Sequence, residues 1–305
     1  MSDQRQHWSR FRTRQRHRLR PCRRRTLRSQ KNAGRSQFRA YTERAGERAN
    51  GLLRRRQDLA DAIKEGKIEC WYQPQFDAAT HQLIGAEALA RLRLSHEKLW
   101  SPEDFLPLAE QTGLLMEIDE FMFQQVLADQ NKWAEAGLYY PRVSVNFSQQ
   151  RLAEKSLMER ITEQIKPHHA LSIEVLETAF MDNPDAPMLQ RLEGFRALGF
   201  GIELDDFGSG HASIVSMLSI KPDKIKIDQR LTKDIATSHS AMTTLKALVT
   251  IGRAHNTGIV LEGIETSEQL LACESVDCDV LQGFALSGCW RGQTQSANVF
   301  ARNRI

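Results

Sequence analysis

The stretch 68–92, which reads IECWYQPQFDAATHQLIGAEALARL, decides the fold of this chain. Two runs of mainly apolar, β-branched and aromatic residues, Ile68–Phe76 and Leu83–Leu92, predict two β-strands. The connection between them, 77–82, is only six residues long. A parallel crossover needs a dozen or more residues, so these two strands are predicted to pair antiparallel.

Beyond this hairpin, predicted strands and helices alternate along the chain. Six further apolar runs predict strands, at Arg142–Phe147, Leu171–Leu176, Phe200–Asp205, Lys224–Ile227, Gly258–Gly263 and Asp279–Phe284. Periodicity and capping residues predict helices at Leu52–Lys64, from Pro102, at Leu115–Ala136, Gln149–Ile165, Pro187–Leu198 and Ser213–Leu218, between Leu231 and His255, at Ser267–Glu274 and after the last strand. Eight strands with helices between most of them predict a parallel α/β barrel. An open doubly wound sheet is the alternative, although no Gly-x-Gly-x-x-Gly follows an early strand.

The charge of the chain is divided unevenly. The whole sequence of 305 residues carries +4, but residues 1–56 hold 18 Arg and one Lys against three acids. This segment therefore carries +16 and the remainder −12. Residues 1–50 are poor in aliphatic side chains and are predicted to be a disordered basic arm, followed by the barrel at 51–305. The run 10–28 is a candidate contact for nucleic acid or an anionic surface. The other interpretation is that the arm has no native function.

Cysteine usage and hydropathy bear on location. The five cysteines form no Cys-x-x-Cys pair, which argues against a disulfide framework or a zinc site. The sequence contains no run of 18 or more apolar residues, so no membrane span is predicted. We therefore expect a protein of a reducing cytosol.

Polar residues follow the apolar runs of several predicted strands. In a barrel of this kind the active site lies at the carboxyl ends of the strands. Six acids, one amide-bearing asparagine, a glutamine and a lysine occupy those positions: Glu87, Asn146, Glu174, Asp205, Asp206, Lys226, Glu262, Glu265 and Gln282. Crowded carboxylates repel one another, and oxygen ligands without His or Cys favour Mg²⁺, Mn²⁺ or Ca²⁺. The adjacent pair Asp205-Asp206 can reach two ions, which together activate water for phosphoryl chemistry.

The same residues stand in motifs of one family. The motifs are Tyr72-Gln73-Pro74, Glu87-Ala88-Leu89 with Arg91, Val145-Asn146-Phe147-Ser148, Glu174-Val175-Leu176-Glu177, Asp205-Asp206-Phe207-Gly208-Ser209-Gly210, Lys226-Ile227-Asp228, Glu262-Gly263-Ile264-Glu265 and Gln282-Gly283-Phe284. In order and spacing this set resembles the EAL family of cyclic di-GMP phosphodiesterases over about residues 55–290. Each motif alone is weak, and the specificity comes from eight of them in register.

The resemblance implies an α/β fold of the TIM (β/α)₈ type with an antiparallel first strand, in agreement with the short hairpin. It implies two Mg²⁺ or Mn²⁺ ions surrounded by Glu87, Asn146, Glu174, Asp205, Asp206 and Glu262 or Glu265. It also implies hydrolysis of cyclic di-GMP to linear pGpG by two-metal in-line attack of activated water.

Individual roles follow from the same resemblance. Lys226 contacts the attacking water or stabilises phosphate charge, and Glu262 is the general-base candidate. Arg91 holds a phosphate of the substrate, and Gln73 also binds substrate. Gln282 helps to order the water and the metal site. Glu177 anchors the loop after Asp206, which links a homodimer to metal binding. Asp228 orients Lys226 or stabilises the rim of the barrel.

The chain departs from the family pattern at a few positions. The segment 208–214 reads GSGHASI where Gly-Thr-Gly-Tyr-Ser-Ser-Leu is common, so His211 and Ala212 alter the loop that bears on dimer coupling. Leu176 replaces a usual Thr, Leu261 replaces a usual Ala, and Cys289-Trp290 stand near a usual proline. Glu110 is predicted to be a fold determinant away from the strand ends. No predicted metal ligand is lost.

Two alternatives to an active enzyme stay open. The first is a receptor or protein-interaction module with the same fold, which binds cyclic di-GMP with little or no cleavage. The second is a nucleic-acid binder that acts through its basic arm.

Overall fold

The computed structural model describes residues 53–95, 97–138, 140–176, 186–208 and 214–291. The elements below lie in one compact unit, Arg54–Ile305, apart from residue 53. The predicted arm at 1–50, Glu177 and the substituted loop residues 211–212 lie outside the described residues.

Eight strands close into a barrel, as predicted. Strands β1 (Ile68–Asp77) and β2 (Leu83–Arg93) form the antiparallel hairpin. From β2 the barrel continues through parallel neighbours to the last strand, which pairs antiparallel with β1 and closes the ring. Those neighbours are β4 (Arg142–Asn146), β5 (Leu171–Leu176), β6 (Gly201–Phe207), β7 (Lys224–Ile227), β8 (Gly258–Leu261) and β9 (Val280–Leu281). The α/β barrel with an antiparallel first strand is confirmed, and the open-sheet alternative is wrong.

Two short strands extend the sheet beyond what the sequence predicted. Strand β3 (Leu99–Trp100) pairs antiparallel with β2, and β10 (Trp290–Arg291) pairs antiparallel with β1. Each is two residues long, so neither carries the alternation by which a strand is recognised in sequence. The predicted C-terminal helix is wrong as far as the structure describes it, because 285–289 form a turn and irregular chain and 290–291 form β10. The chain from 292 onward lies outside the described residues.

Helices cover the outside of the barrel. They are α1 (53–64), α2 (Pro102–Thr112), α3 (Leu115–Glu135), α4 (Gln149–Leu152), α5 (Leu157–Gln164), α6 (Ala186–Ala197), α7 (Ile214–Ile220), α8 (Gln229–Thr232), α9 (His239–Ala254) and α10 (Ser267–Cys273). The predicted helix Gln149–Ile165 is two helices, because the chain turns at 153–156 between α4 and α5. Within the described ranges, no helix is long and apolar enough to cross a membrane.

The strand period of two separates the core from the site. On β5 and β6, Ile173, Val175, Ile202 and Leu204 are completely buried and belong to the hydrophobic core. The residues between them face the barrel interior, since successive side chains point to opposite faces of a strand. On β5 to β7, the acids and lysines therefore alternate with the aliphatic residues and converge inside the barrel.

Candidate active site

A buried lysine joins four carboxylates at the top of the barrel. Lys226 Nζ, on β7, lies 2.8 Å from Glu174 Oε2 and 3.0 Å from Glu87 Oε2. The same nitrogen lies 2.8 Å from Glu262 Oε1 and 3.3 Å from Asp205 Oδ1. These acids come from β2, β5, β6 and the residue after β8. The predicted strand-end residues therefore meet around one ammonium group.

Side-chain amides complete the interior of the site. Gln282 Nε2 donates to Glu87 Oε2 at 2.6 Å, and Gln75 Nε2 donates to Gln282 Oε1 at 2.9 Å. Gln282 Nε2 also lies 3.3 Å from Gln73 Oε1. On the other side, Asn146 Nδ2 donates to Glu87 Oε1 at 3.3 Å. Glu87 is thus held by one lysine and two amides, which fixes its orientation.

Burial and mutual repulsion raise the pKa of most acids in the cluster. Burial raises the pKa of Glu174 well above its usual value, and the neighbouring Glu87 charge adds to the increase. Burial raises the pKa of Glu262 to about 8, although Lys226 opposes the increase. The pKa of Asp205 is raised chiefly by burial. Burial also acts on Glu87, but Lys226 and Gln282 outweigh it and its pKa is lowered. One ammonium therefore does not offset the cost of ionising all four carboxyl groups together.

Asp206 belongs to a second, adjoining pair of acids. Its φ of 57° is left-handed, a conformation that a non-glycine residue rarely adopts. Its carboxyl hydrogen-bonds Asp228, and burial together with the Asp205 charge raises its pKa to about 7. Asp228 caps α8 by accepting the Arg230 N–H at 2.6 Å and pairs with the Arg230 guanidinium at 2.8 Å. These bonds lower the pKa of Asp228 to about 2, so it stays ionised beside Asp206.

A cleft of about 620 Å³ opens above the cluster. Every predicted site residue that the structure describes lines this cleft, except Glu174, which is buried beneath it. Arg91 and Gln73 lie on its wall, and Arg91 Nη2 is 3.9 Å from Cys289 Sγ. Glu265 also lines the cleft, but it is exposed and lies on the loop after β8.

The family model of the EAL domain matches residues 56–288. The chain belongs to the EAL domain family. This EAL domain is 31% identical over 261 residues to the bifunctional diguanylate cyclase/cyclic di-GMP phosphodiesterase MucR of Pseudomonas aeruginosa, covering 84% of the chain and 38% of MucR. It is 29% identical over 267 residues to the cyclic di-GMP phosphodiesterase NbdA of the same species, covering 86% of the chain and 34% of NbdA. The chain spans little more than a third of these relatives.

Solved structures support the same family. The EAL domain superposes on the PaMucR phosphodiesterase in complex with c-di-GMP with a TM-score of 0.71 at 32% identity, covering 79% of this chain and 98% of that one. The EAL domain of Xanthomonas citri FimX in complex with c-diGMP superposes with a TM-score of 0.69 at 20% identity, covering 83% and 97%. The second likeness concerns the fold alone.

The donor set of this EAL domain fits a hard divalent cation. Carboxylate oxygens of Glu87, Glu174 and Asp205 lie in one cluster with the side-chain amide of Asn146, and Asp206 adjoins it. Oxygen ligands of this kind suit Mg²⁺ and Mn²⁺. Glu174 Oε1 is buried and has no hydrogen-bond partner, and a bound cation would supply the missing interaction. Within the part of the chain that the structure describes, no three acids are arranged around a common metal position, because their carboxylates face Lys226.

Three acids that line the cleft, Glu103, Glu110 and Asp119, were not among the predicted site residues. Glu110 lies at the end of a helix, as predicted, and from this last turn of α2 it also lines the cleft, while its role as a fold determinant stays a prediction. Asp119 of α3 also lines the cleft and accepts the Ser148 N–H at 2.9 Å. Neither Glu110 nor Asp119 follows a strand, so the strand-end criterion could not find them. Only the folded contact between helix and barrel places them at the site.

Proposed function

We propose that this EAL domain hydrolyses cyclic di-GMP to linear pGpG and so lowers a bacterial second messenger in the cytoplasm. The observation that carries the proposal is the set of four carboxylates on Lys226 at the floor of a cleft that also presents Arg91 and Gln73. The likeness to the PaMucR phosphodiesterase in complex with c-di-GMP supports this choice of substrate.

Two Mg²⁺ or Mn²⁺ ions belong to this proposal. Their ligands would come from Glu87, Asn146, Glu174, Asp205 and Asp206, with Glu265 as a further candidate at the rim. When bound, such ions lower the pKa of water and neutralise charge on the phosphate. The pKa values of Glu174, Asp205 and Asp206 are raised, so ionising each carboxyl group in the protein is energetically unfavourable. Bound cations would offset this unfavourable free energy of ionisation.

The chain's own residues divide the remaining work. Glu262, whose pKa is raised to about 8, accepts the proton of the attacking water. The water oxygen forms a bond to phosphorus, the bond from phosphorus to the 3′ oxygen breaks, and that oxygen takes a proton from solvent water to leave as the 3′ hydroxyl, while Glu262 returns its proton to solvent. The Lys226 ammonium stabilises the charge that develops on the phosphate oxygens.

Substrate position depends on the cleft wall. The Arg91 guanidinium binds the second phosphate of the cyclic dinucleotide, since its planar fork matches two phosphate oxygens. Gln73 contacts the substrate, and Gln282, which is bonded to both Glu87 and Gln73, holds the water side of the site in order. Glu177, which lies outside the described residues, is proposed to anchor the loop after Asp206.

A receptor is the second candidate function. It is favoured by one observation, namely that the Lys226 ammonium lies within 3.3 Å of all four carboxylates and so stands at the centre of the cluster. A receptor would bind cyclic di-GMP in the same cleft through Arg91 without turnover.

One assay separates the two candidates. The full chain is incubated with cyclic di-GMP in Mg²⁺, in Mn²⁺ and in EDTA, and the products are separated by chromatography. The enzyme predicts pGpG with either metal and none with EDTA. Binding measured by calorimetry without any product would refute the enzyme and establish the receptor.

A further inference from the structure

Arg151 is a charged side chain inside the protein and is part of neither the cluster nor the cleft lining. It lies in α4, directly after the strand that carries Asn146, and is only 1% exposed. Its Nη1 lies 2.8 Å from Glu120 Oε2 of α3, an ion pair without the alignment of a hydrogen bond. Its Nε has no hydrogen-bond partner. An apolar side chain of similar volume would fill this place at a lower desolvation cost, so the cation calls for a reason.

Two aromatic rings enclose the guanidinium. Its Cζ lies 4.6 Å from the ring centre of Phe147 and 5.3 Å from that of Phe123 on α3. The two rings also meet each other edge to face at 5.6 Å. A cation over an aromatic face is attracted by the ring, and more strongly when water is excluded. Arg151 therefore ties Phe147, the residue after Asn146, to α3.

The next residue is tied to the same helix. Ser148 donates its backbone N–H to Asp119 Oδ2 at 2.9 Å, and its hydroxyl accepts the Arg151 N–H at 3.2 Å. Burial raises the pKa of Asp119 to about 6, and the charge of Arg151 opposes this increase. Arg151 thus stabilises the charged form of the carboxylate that receives Ser148.

We propose that Arg151 is a positioning residue of the active site, which holds segment 146–148 against α3 and so directs the Asn146 amide towards Glu87. The contact it controls is the 3.3 Å bond from Asn146 Nδ2 to Glu87 Oε1. The inference rests on the proposed function in one respect, because Asn146 acts as a metal ligand only there.

The test compares three variants of the full chain. Arg151→Met keeps the volume between the rings and removes the charge, whereas Arg151→Lys keeps a charge without the planar group. Arg253→Met is the matched control, since Arg253 pairs with Asp279 ahead of β9, at the opposite end of the barrel. Thermal unfolding checks that each variant folds. Should Arg151→Met fail to fold, Phe123→Leu removes one enclosing ring and leaves the ion pair intact.

Mn²⁺ affinity by calorimetry is the first readout. Loss of an outer partner of a metal ligand typically weakens binding roughly 10–100-fold. We expect a loss in this range for Arg151→Met, a smaller loss for Arg151→Lys, and wild-type affinity for Arg253→Met. Wild-type affinity in folded Arg151→Met would overturn the inference.

The second readout needs no metal. In metal-free, ¹⁵N-labelled protein, the side-chain amide peaks of Asn146 are assigned with Asn146→Ala. We expect Arg151→Met to shift or broaden these peaks and Arg253→Met to leave them unchanged. Unchanged peaks in Arg151→Met would refute the positioning role, whether or not the wild type binds Mn²⁺. A wild type that binds no Mn²⁺ counts against the proposed function alone and leaves the positioning role to be decided by these peaks.

Discussion

Lys226 Nζ lies 2.8 Å from Glu174 Oε2, and neither side chain is more than 1% exposed. A lysine buried this deeply is ordinarily driven towards its neutral form, yet four carboxylates raise its pKa well above the usual value. The same ammonium moderates the repulsion among the acids. The charged state of the lysine and that of the acids therefore depend on each other. Loss of the Lys226 ammonium would change the pKa of every carboxyl group around it.

Replacement of this lysine is the most direct test of the cluster. We expect Lys226→Met to lower kcat by roughly 10²–10³-fold, the usual effect of removing a group that stabilises transition-state charge. The free energy of unfolding of the metal-free protein should fall by about 3–5 kcal/mol, because buried acids lose their partner. Hydrolysis and chemical denaturation measure the two effects.

The control for this substitution lies on the same strand. Lys224→Met removes the lysine two residues earlier, which pairs with Glu203 at 3.3 Å below the site. Its effect should appear in stability and not in kcat. Equal losses of kcat in both variants would mean that Lys226 acts on the fold rather than on the reaction.

The metal ligands give a second prediction. Glu87→Ala or Asp205→Ala should cut turnover by orders of magnitude and leave the barrel folded, because both side chains face the polar site and neither belongs to the hydrophobic core. Turnover and circular dichroism check the two parts. Asp279→Ala serves as control, since Asp279 accepts the Ile259 N–H at 2.6 Å at the other end of the barrel. Wild-type turnover in Glu87→Ala or Asp205→Ala would rule out the two-metal assignment.

The third prediction concerns pH. The pKa of Glu262 is raised to about 8 and that of Asp206 to about 7, so the folded state binds these protons more tightly than the unfolded chain. Stability is then greatest below the usual pKa of a carboxyl group and is lost as pH rises through the folded values. We expect the metal-free protein to become less stable between about pH 5 and pH 8.5, where each tenfold difference in proton affinity corresponds to about 1.4 kcal/mol.

Mn²⁺ should reverse this trend, because cations bind the ionised carboxylates and stabilise the folded state that holds them. Urea unfolding at several pH values, with and without Mn²⁺, measures both curves. In the variant Glu262→Gln with Asp206→Asn, the metal-free curve should be flatter. A metal-free stability that rises over this range would contradict the raised pKa values.

Much of this architecture was predictable because strands and long helices have regular periods. The eight barrel strands and the first antiparallel pair follow from apolar runs and one short connection. Ser101 followed by Pro102 predicts the start of α2. Features that depend on distant parts of the chain were not predictable. The cleft position of Glu110 and Asp119 depends on how α2 and α3 pack on the barrel, and strand β10 forms only because it reaches β1.

The candidate site also has features that the sequence predicts and features that it does not. Position near the carboxyl ends of parallel strands was enough to bring together Glu174, Asp205, Glu262 and Lys226. Glu87 joins them from the middle of the longer strand β2. Their protonation was beyond a sequence argument. Glu87 and Glu174 both contact Lys226, yet burial and the Glu87 charge raise the pKa of Glu174, whereas the Lys226 charge and the bond from Gln282 outweigh burial and lower the pKa of Glu87.

The basic arm gives a fourth prediction. Removal of residues 1–50 should leave metal-dependent hydrolysis unchanged within about twofold, because the predicted ligands lie between Glu87 and Gln282. Any binding of the full chain to nucleic acid should fall steeply with salt and disappear in the shortened chain, since it would depend on the arginine-rich run. Salt titrations by fluorescence anisotropy compare the two. Nucleic-acid binding retained by residues 51–305 would remove the arm from this role.

Dimerisation is the last prediction, and α7 presents the surface for it. Ile214, Val215 and Leu218 are 45%, 55% and 42% exposed, and neighbours at helical spacing form one apolar patch. The helix follows Asp206-Phe207 in the chain after only the six residues 208–213, so a partner on this patch would be bound close in sequence to a predicted metal ligand. We expect the chain to be a homodimer and Val215→Glu to shift it towards monomer, because a buried unpaired charge disfavours association.

Sedimentation velocity over a range of concentrations measures this shift. Leu271→Glu is the matched control, since Leu271 is 66% exposed on α10 and is not part of the α7 patch. If the wild type sediments as a monomer at all concentrations, the homodimer is excluded. If Val215→Glu dissociates the dimer and also weakens Mn²⁺ binding while Leu271→Glu does neither, then dimerisation and metal binding are coupled through the loop between Asp206 and α7, despite the changed residues His211 and Ala212.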